Sequence, residues 1–132
     1  MKRLSILTAL AVAACASAGG AYQMSDKTAA RLAEYEKTGE SERCLSSNMI
    51  SGIEAIDERH FLVRVGAGRY YLNALSSSCH GAGRAGNRLQ YEVSIGQLCR
   101  NQIIHVVDNS GGFIVGSCSL NDFEKLEKAP AE

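Results

Sequence analysis

The chain has 132 residues, with 14 Lys plus Arg against 14 Asp plus Glu, 45% hydrophobic residues, one Pro, no Trp and five Cys. At roughly 100 to 200 residues per domain, this length carries one small domain, and a net charge of zero argues against a dedicated nucleic-acid binder.

The first element is an export signal. Lys2 and Arg3 form a positive start, Leu4 to Ala14 an apolar run, and small residues follow. That run of 11 residues is too short to cross a hydrocarbon layer, which takes about 20 helical residues. Two processing sites compete. Val12-Ala13-Ala14-Cys15 resembles a bacterial lipobox, in which the Cys15 thiol is acylated and residues 1–14 are removed. Ala16-Ser17-Ala18 instead fits the small-x-small rule of ordinary signal peptidase, releasing a soluble periplasmic protein from Gly19. The lipobox is the preferred reading. Two acyl chains anchor a protein stably where one binds only marginally, and without Asp after Cys15 the expected address is the outer membrane, facing the periplasm. The mature chain carries 12 basic and 14 acidic side chains, a net charge of −2, so its global field does not recruit nucleic acid or acidic lipid.

Residues 15–43 read as a spacer and a short helix. Ser25 is a candidate cap, Asp26 sits in the first turn, Ala29, Ala30, Leu32, Ala33 and Tyr35 make a thin apolar stripe, and Gly39 can take a left-handed stop. From Cys44 the period changes to that of strands. Met49 to Ile56 is one candidate strand. His60 to Val65 is a second, with Phe61, Val63 and Val65 on one face. Gly66-Ala67-Gly68 turns the chain into Arg69 to Leu75, where Tyr70, Leu72 and Ala74 oppose Tyr71, Asn73 and Leu75. A polar loop spans Ser76 to Arg88. Tyr91 to Ile95 has the strictest alternation, and Ile103 to Val107 with Phe113 to Cys118 form a last hairpin. The expected fold is all-β, residues 44–120 forming a small disulfide-stapled barrel of five to six strands, OB-like or SH3-like, since closure removes exposed edges. Residues 121–132 read as a flexible tail.

With Cys15 lipidated, Cys44, Cys79, Cys99 and Cys118 remain, and an even number in an exported chain reads as disulfides. A body of this size gains little net stability from its core alone, so covalent staples have a physical purpose. The expected pairs are Cys44 with Cys118, tying the barrel start to its last strand, and Cys79 with Cys99, pinning the loop. Metal binding is the rival use of four Cys. The intervening stretches of 34, 19 and 18 residues lack the close pairs of zinc sites, so no metal is expected.

Other chemistry-bearing patterns are weak. Gly81-Ala82-Gly83-Arg84-Ala85-Gly86 matches G-x-G-x-x-G, but Ser and Cys precede it and a strand follows, so no nucleotide or other cofactor is expected. Cys79 and His80 are adjacent, and in extended chain they point to opposite faces, poorly placed to share a proton. His60 reads as a surface residue at a strand start and His105 as a rim or core histidine. The best binding candidate is a patch of Arg84, Arg88 and Arg100, with Arg64 and Arg69 nearby, beside Tyr70, Tyr71 and Tyr91. Arg and Tyr recognise anions or sugar rings through bidentate bonds and stacking.

Cys44-Leu45-Ser46, Arg69-Tyr70-Tyr71-Leu72-Asn73, Cys79, Leu98-Cys99, Ile103 to Asp108 and Cys118 together resemble a bacterial domain-of-unknown-function family of small exported proteins and lipoproteins. The resemblance covers about residues 44–123. Family members often place Gly-Asp after the third Cys and Leu-Gly after the fourth, where this chain has Arg100-Asn101-Gln102 and Ser119-Leu120-Asn121. The resemblance implies no activity. The expected function is therefore a non-catalytic cell-envelope lipoprotein that binds an envelope partner. The alternatives are a binder of cell-wall or lipopolysaccharide glycan, and a small periplasmic enzyme or inhibitor.

Overall fold

The computed structural model describes residues 22–93 and 95–130; the expected export signal and Cys15 lie outside the described residues. Ser25 caps α1 (Asp26–Leu32), its hydroxyl accepting the Thr28 N–H at 3.2 Å. The helix is shorter than expected. Instead of continuing to Gly39, the chain enters β1 (Tyr35–Glu42), which pairs antiparallel with β10 (Phe123–Lys128). Gly39 does take the left-handed conformation, at φ 87°, but within the register shift between Lys37 and Ser41, where it serves a strand bulge.

The expected flexible tail is likewise corrected. β10 lies inside a five-stranded sheet of order β1-β10-β5-β4-β3, with β3 at Ile50–Ala55, β4 at His60–Val65 and β5 at Arg69–Ala74. Phe123 and Leu126 are both buried, but on opposite faces, so β10 shows no period-two apolar pattern in sequence. The sheet has apolar residues on both sides. Phe61, Val63, Val65, Tyr71, Leu75 and Phe123 enter the main core, whereas Leu62, Leu72 and Leu126 meet Leu32, Tyr35, Ile56 and Tyr70 in a smaller cluster.

Facing the main core are a three-stranded sheet, β6-β8-β9 (Asn87–Tyr91, Ile103–Asp108, Ile114–Ser119), and a two-stranded ribbon of β2 (Cys44–Ser46) with β7 (Gln97–Cys99). The expected closed barrel is not formed. β1, β3, β6 and β9 each end a sheet, so the architecture is an open arrangement of antiparallel sheets about one core. The strand expected over Tyr91 to Ile95 is also displaced. β6 ends at Tyr91, and Ile95, fully exposed at φ 57°, belongs to the turn leading to β7.

The disulfides are Cys44–Cys99 and Cys79–Cys118, which corrects both expected pairings, Cys44 with Cys118 and Cys79 with Cys99. Register supplies the reason. Cys44 stands directly opposite Cys99 in the β2–β7 ladder, while Cys118, opposite Ile104 in β9, faces the core position that Cys79 enters from the glycine-rich loop.

Candidate functional site

The glycine-rich segment is a structural turn first. Gly81, Gly83 and Gly86 have φ of 82°, 79° and 86°, a region that side chains rarely adopt, which explains the spacing without a nucleotide. The loop is seated on two strands. Cys79 N–H donates to the Glu58 carbonyl at 2.7 Å, Gly83 lies against the backbone of Ala55 and Asp57, and a methyl at Gly116 of β9 would overlap the His80 carbonyl. Cys79 is in a disulfide and His80 is exposed, so the imagined thiol–imidazole pair is not assembled.

Beneath this loop runs a cleft of about 650 Å³ between β3 and β6, the free edges of the two larger sheets. Ile53, Ala55, Leu89, Tyr91 and Val106 give it an apolar lining, and Arg84 and Arg88 stand on its rim. Arg84 lies 3.7 Å from Glu58 and Arg88 donates to Asn109 at 2.6 Å; both side chains remain exposed.

The rest of the expected arginine–tyrosine patch is divided. Tyr71 is buried in the main core, 5% exposed, and cannot meet a ligand. Arg100 donates to Asp122 at 3.3 Å and lines neither this cleft nor the next. Tyr70 points to the opposite face of the five-stranded sheet, with its ring centre 5.0 Å from that of Tyr35 and the Lys128 ammonium 5.6 Å away. There it borders a second groove, of about 680 Å³, with Arg31, Glu34, Glu54, Arg64 and Lys128. Arg31 is held by Glu34 and by Glu54.

Sequence reasoning also missed a polar cluster at the β3–β4 turn. His60 is 9% exposed rather than superficial, with Nδ1 3.0 Å from Asp57 Oδ1. The same carboxylate accepts the N–H groups of Arg59 and His60 at 2.7 and 2.8 Å and the Tyr22 hydroxyl on its other oxygen. Arg59 stacks 4.8 Å over the Tyr22 ring. The only sequence signal was Asp57 three residues before His60, a common turn pattern. Because these bonds converge on Asp57, the cluster closes the turn and fastens the segment entering α1. Burial pushes the Asp57 carboxyl up, but hydrogen bonds from Tyr22, Arg59, His60 and Thr28 outweigh it and hold it below the usual carboxylate range. Tyr22 is pushed up to about 12 by burial, then by its bond to the Asp57 carboxylate.

Linkage converts these directions into a test. A depressed Asp57 pKa contributes stability above the ordinary carboxylate range and loses it as pH falls through the folded value. The raised Tyr22 pKa contributes below about pH 10 and loses that contribution between about pH 10 and 12. Tyr22→Phe is expected to move the acid-unfolding midpoint upward and to flatten the alkaline decline, read from urea midpoints against pH. Superimposable curves for both proteins at both ends would show that the cluster carries no such coupling.

No curated protein and no solved structure matches the chain. A match does come from a family of unknown function, DUF6491, and it extends over residues 1–128, so every strand from β1 to β10 falls within it. That span joins the four-cysteine frame, the Tyr70-Tyr71-Leu72-Asn73 strand and the cleft edges in one unit, and the chain belongs to this family.

Proposed function

We propose that the protein is a non-catalytic, exported binding module, anchored by acylated Cys15 in the outer membrane and facing the periplasm, with its partner seated in the cleft between β3 and β6. One observation carries this reading: the cleft joins an apolar lining to two exposed guanidinium groups at the open seam of the fold. Its volume lies within the 300 to 1,000 Å³ typical of ligand sites. The four body cysteines are held in disulfides, which supports a stapled scaffold in an oxidising compartment.

The test is site-specific photocrosslinking in intact cells from position 88, with position 69 at the tip of the β4–β5 hairpin as control. A discrete adduct from position 88, absent from position 69 and lost on Arg84→Glu, is expected. Equal adducts from both positions, or none from position 88, would overturn the reading. The glycan alternative draws on the Tyr35–Tyr70 groove as well as the arginine rim, and it wins if the adduct resists protease but not glycosidase.

A further inference from the structure

Which main-chain groups face the cleft follows from the ladders on its two sides. In antiparallel pairing, residues alternate between those bonded to the neighbouring strand and those turned away from it. Ile56 N–H donates to the His60 carbonyl at 2.9 Å, which sets the β3–β4 phase and turns the peptide groups of Ile53 outward. Asn109 N–H donates to the Gly86 carbonyl at 2.9 Å, so in the β6–β8 ladder Leu89 and Tyr91 are the residues turned outward. These same residues contribute side chains to the cleft lining. The cleft therefore presents main-chain donors and acceptors at strand spacing along β6 and at Ile53 of β3, with apolar side chains between them. At Ala55 the β3 edge is covered by Gly83, which closes that end.

We infer that the cleft accepts an extended, acidic peptide segment of an envelope partner, added as a strand along β6 and lying against β3. This rests on the binding reading above and names its chemistry. The main-chain pattern selects a polypeptide, because an added strand satisfies amide and carbonyl groups turned away from their own sheets. The sign of the charge follows from the lining, which among the described residues holds Arg84 and Arg88 and no carboxylate. β6 has five residues, about 17 Å of strand, so an insert of five or six residues pairs along its length. Apolar side chains at alternate positions of the insert meet Ile53, Leu89 and Val106, and its carboxylates meet the arginine rim.

The test uses the full mature protein in detergent and a displayed library of nine-residue peptides, with selected sequences then synthesised. Three outcomes are expected together: the selected peptides alternate apolar with acidic residues; methylating the main-chain nitrogens on the pairing edge weakens binding at least tenfold; and the Ile53, Leu89 and Tyr91 amides become protected from hydrogen exchange. Arg84→Glu with Arg88→Glu, both on exposed side chains, is expected to shift the selected charge from acidic to basic. The proposal is overturned if no peptide is selected, if N-methylation leaves affinity unchanged, or if polygalacturonate, rather than peptide, protects those amides. Persistence of the position-88 crosslink in any of these cases would leave the cleft as a binding site and remove only strand addition.

Discussion

A chain ended at Leu120 is expected to lose its cooperative unfolding transition altogether. Truncation there removes β10, which lies between β1 and β5, and so detaches β1 from the sheet as well. It also deletes Phe123, fully buried in the main core, and Leu126 from the smaller one. Losing a buried Phe costs about 3 to 5 kcal/mol and a buried Leu about 2 to 5. The polar side of the joint adds to this. Asn73, fully buried, donates from Nδ2 to the Asn121 carbonyl at 2.7 Å and accepts the Asn121 N–H at 2.8 Å. Each partner left unsatisfied costs about 1 to 3 kcal/mol. Together these losses consume most or all of the roughly 5 to 15 kcal/mol that holds a domain folded. Thermal unfolding followed by circular dichroism decides it, since a sigmoidal transition within a few degrees of the intact chain would mean that β10 is dispensable.

The second large effect concerns the staple between the glycine-rich loop and β9. Replacing Cys79 and Cys118 together by Ala opens a cross-link spanning 39 residues of sequence. In the chain-entropy account, that bridge supplies about 4 kcal/mol. Cys79 is fully buried, so truncating its side chain also leaves a void under the loop. The double variant is expected to unfold at markedly lower urea concentration, and crosslinking from position 88 is expected to weaken, because the loop that carries Arg84 is no longer tied down. Peptide mapping of the unreduced wild type provides the accompanying check. Recovery of a Cys79–Cys99 peptide would show that the loop is stapled to a different strand and would remove the basis for the prediction.

Much of the central sheet was readable from local pattern. The expected second strand, His60 to Val65, coincides with β4, and its facing set of Phe61, Val63 and Val65 enters the main core. β5 likewise splits as alternation requires, with Tyr71, and Leu75 just past its end, on one face and Tyr70 and Leu72 on the other. These strands are apolar on one or both faces and joined by the Gly66-Ala67-Gly68 turn, so period two is expressed without competition. β1 and β10 are the opposite case. Lys37 and Glu124, 3.4 Å apart, and Glu40 and Lys125, 3.3 Å apart, are charges that pair only after the strands meet, across some 85 residues of sequence. Nothing local distinguishes them from a solvated helix or tail. Val93 and Ile95 failed in the other direction, their alternation with Tyr91 running on past the last β6–β8 pair, Tyr91 with Ile104, where the described residues add no further strand pairing.

The candidate site divides along the same line. Arg84 and Arg88 stood out as cations in an unusual loop, but Ile53, Leu89 and Val106 look like ordinary core residues until the two sheets are seen to stay open between β3 and β6. Sequence alone determined the strand-rich class, the central hairpin, the oxidised use of four cysteines and the glycine-dependent loop, because each depends on residue chemistry or near-neighbour periodicity. Tertiary structure decided which cysteines pair, that the C-terminal segment is an inner strand, and that the sheets leave a seam. Those outcomes depend on contacts between residues far apart in the chain, and short-range patterns carry no register for them.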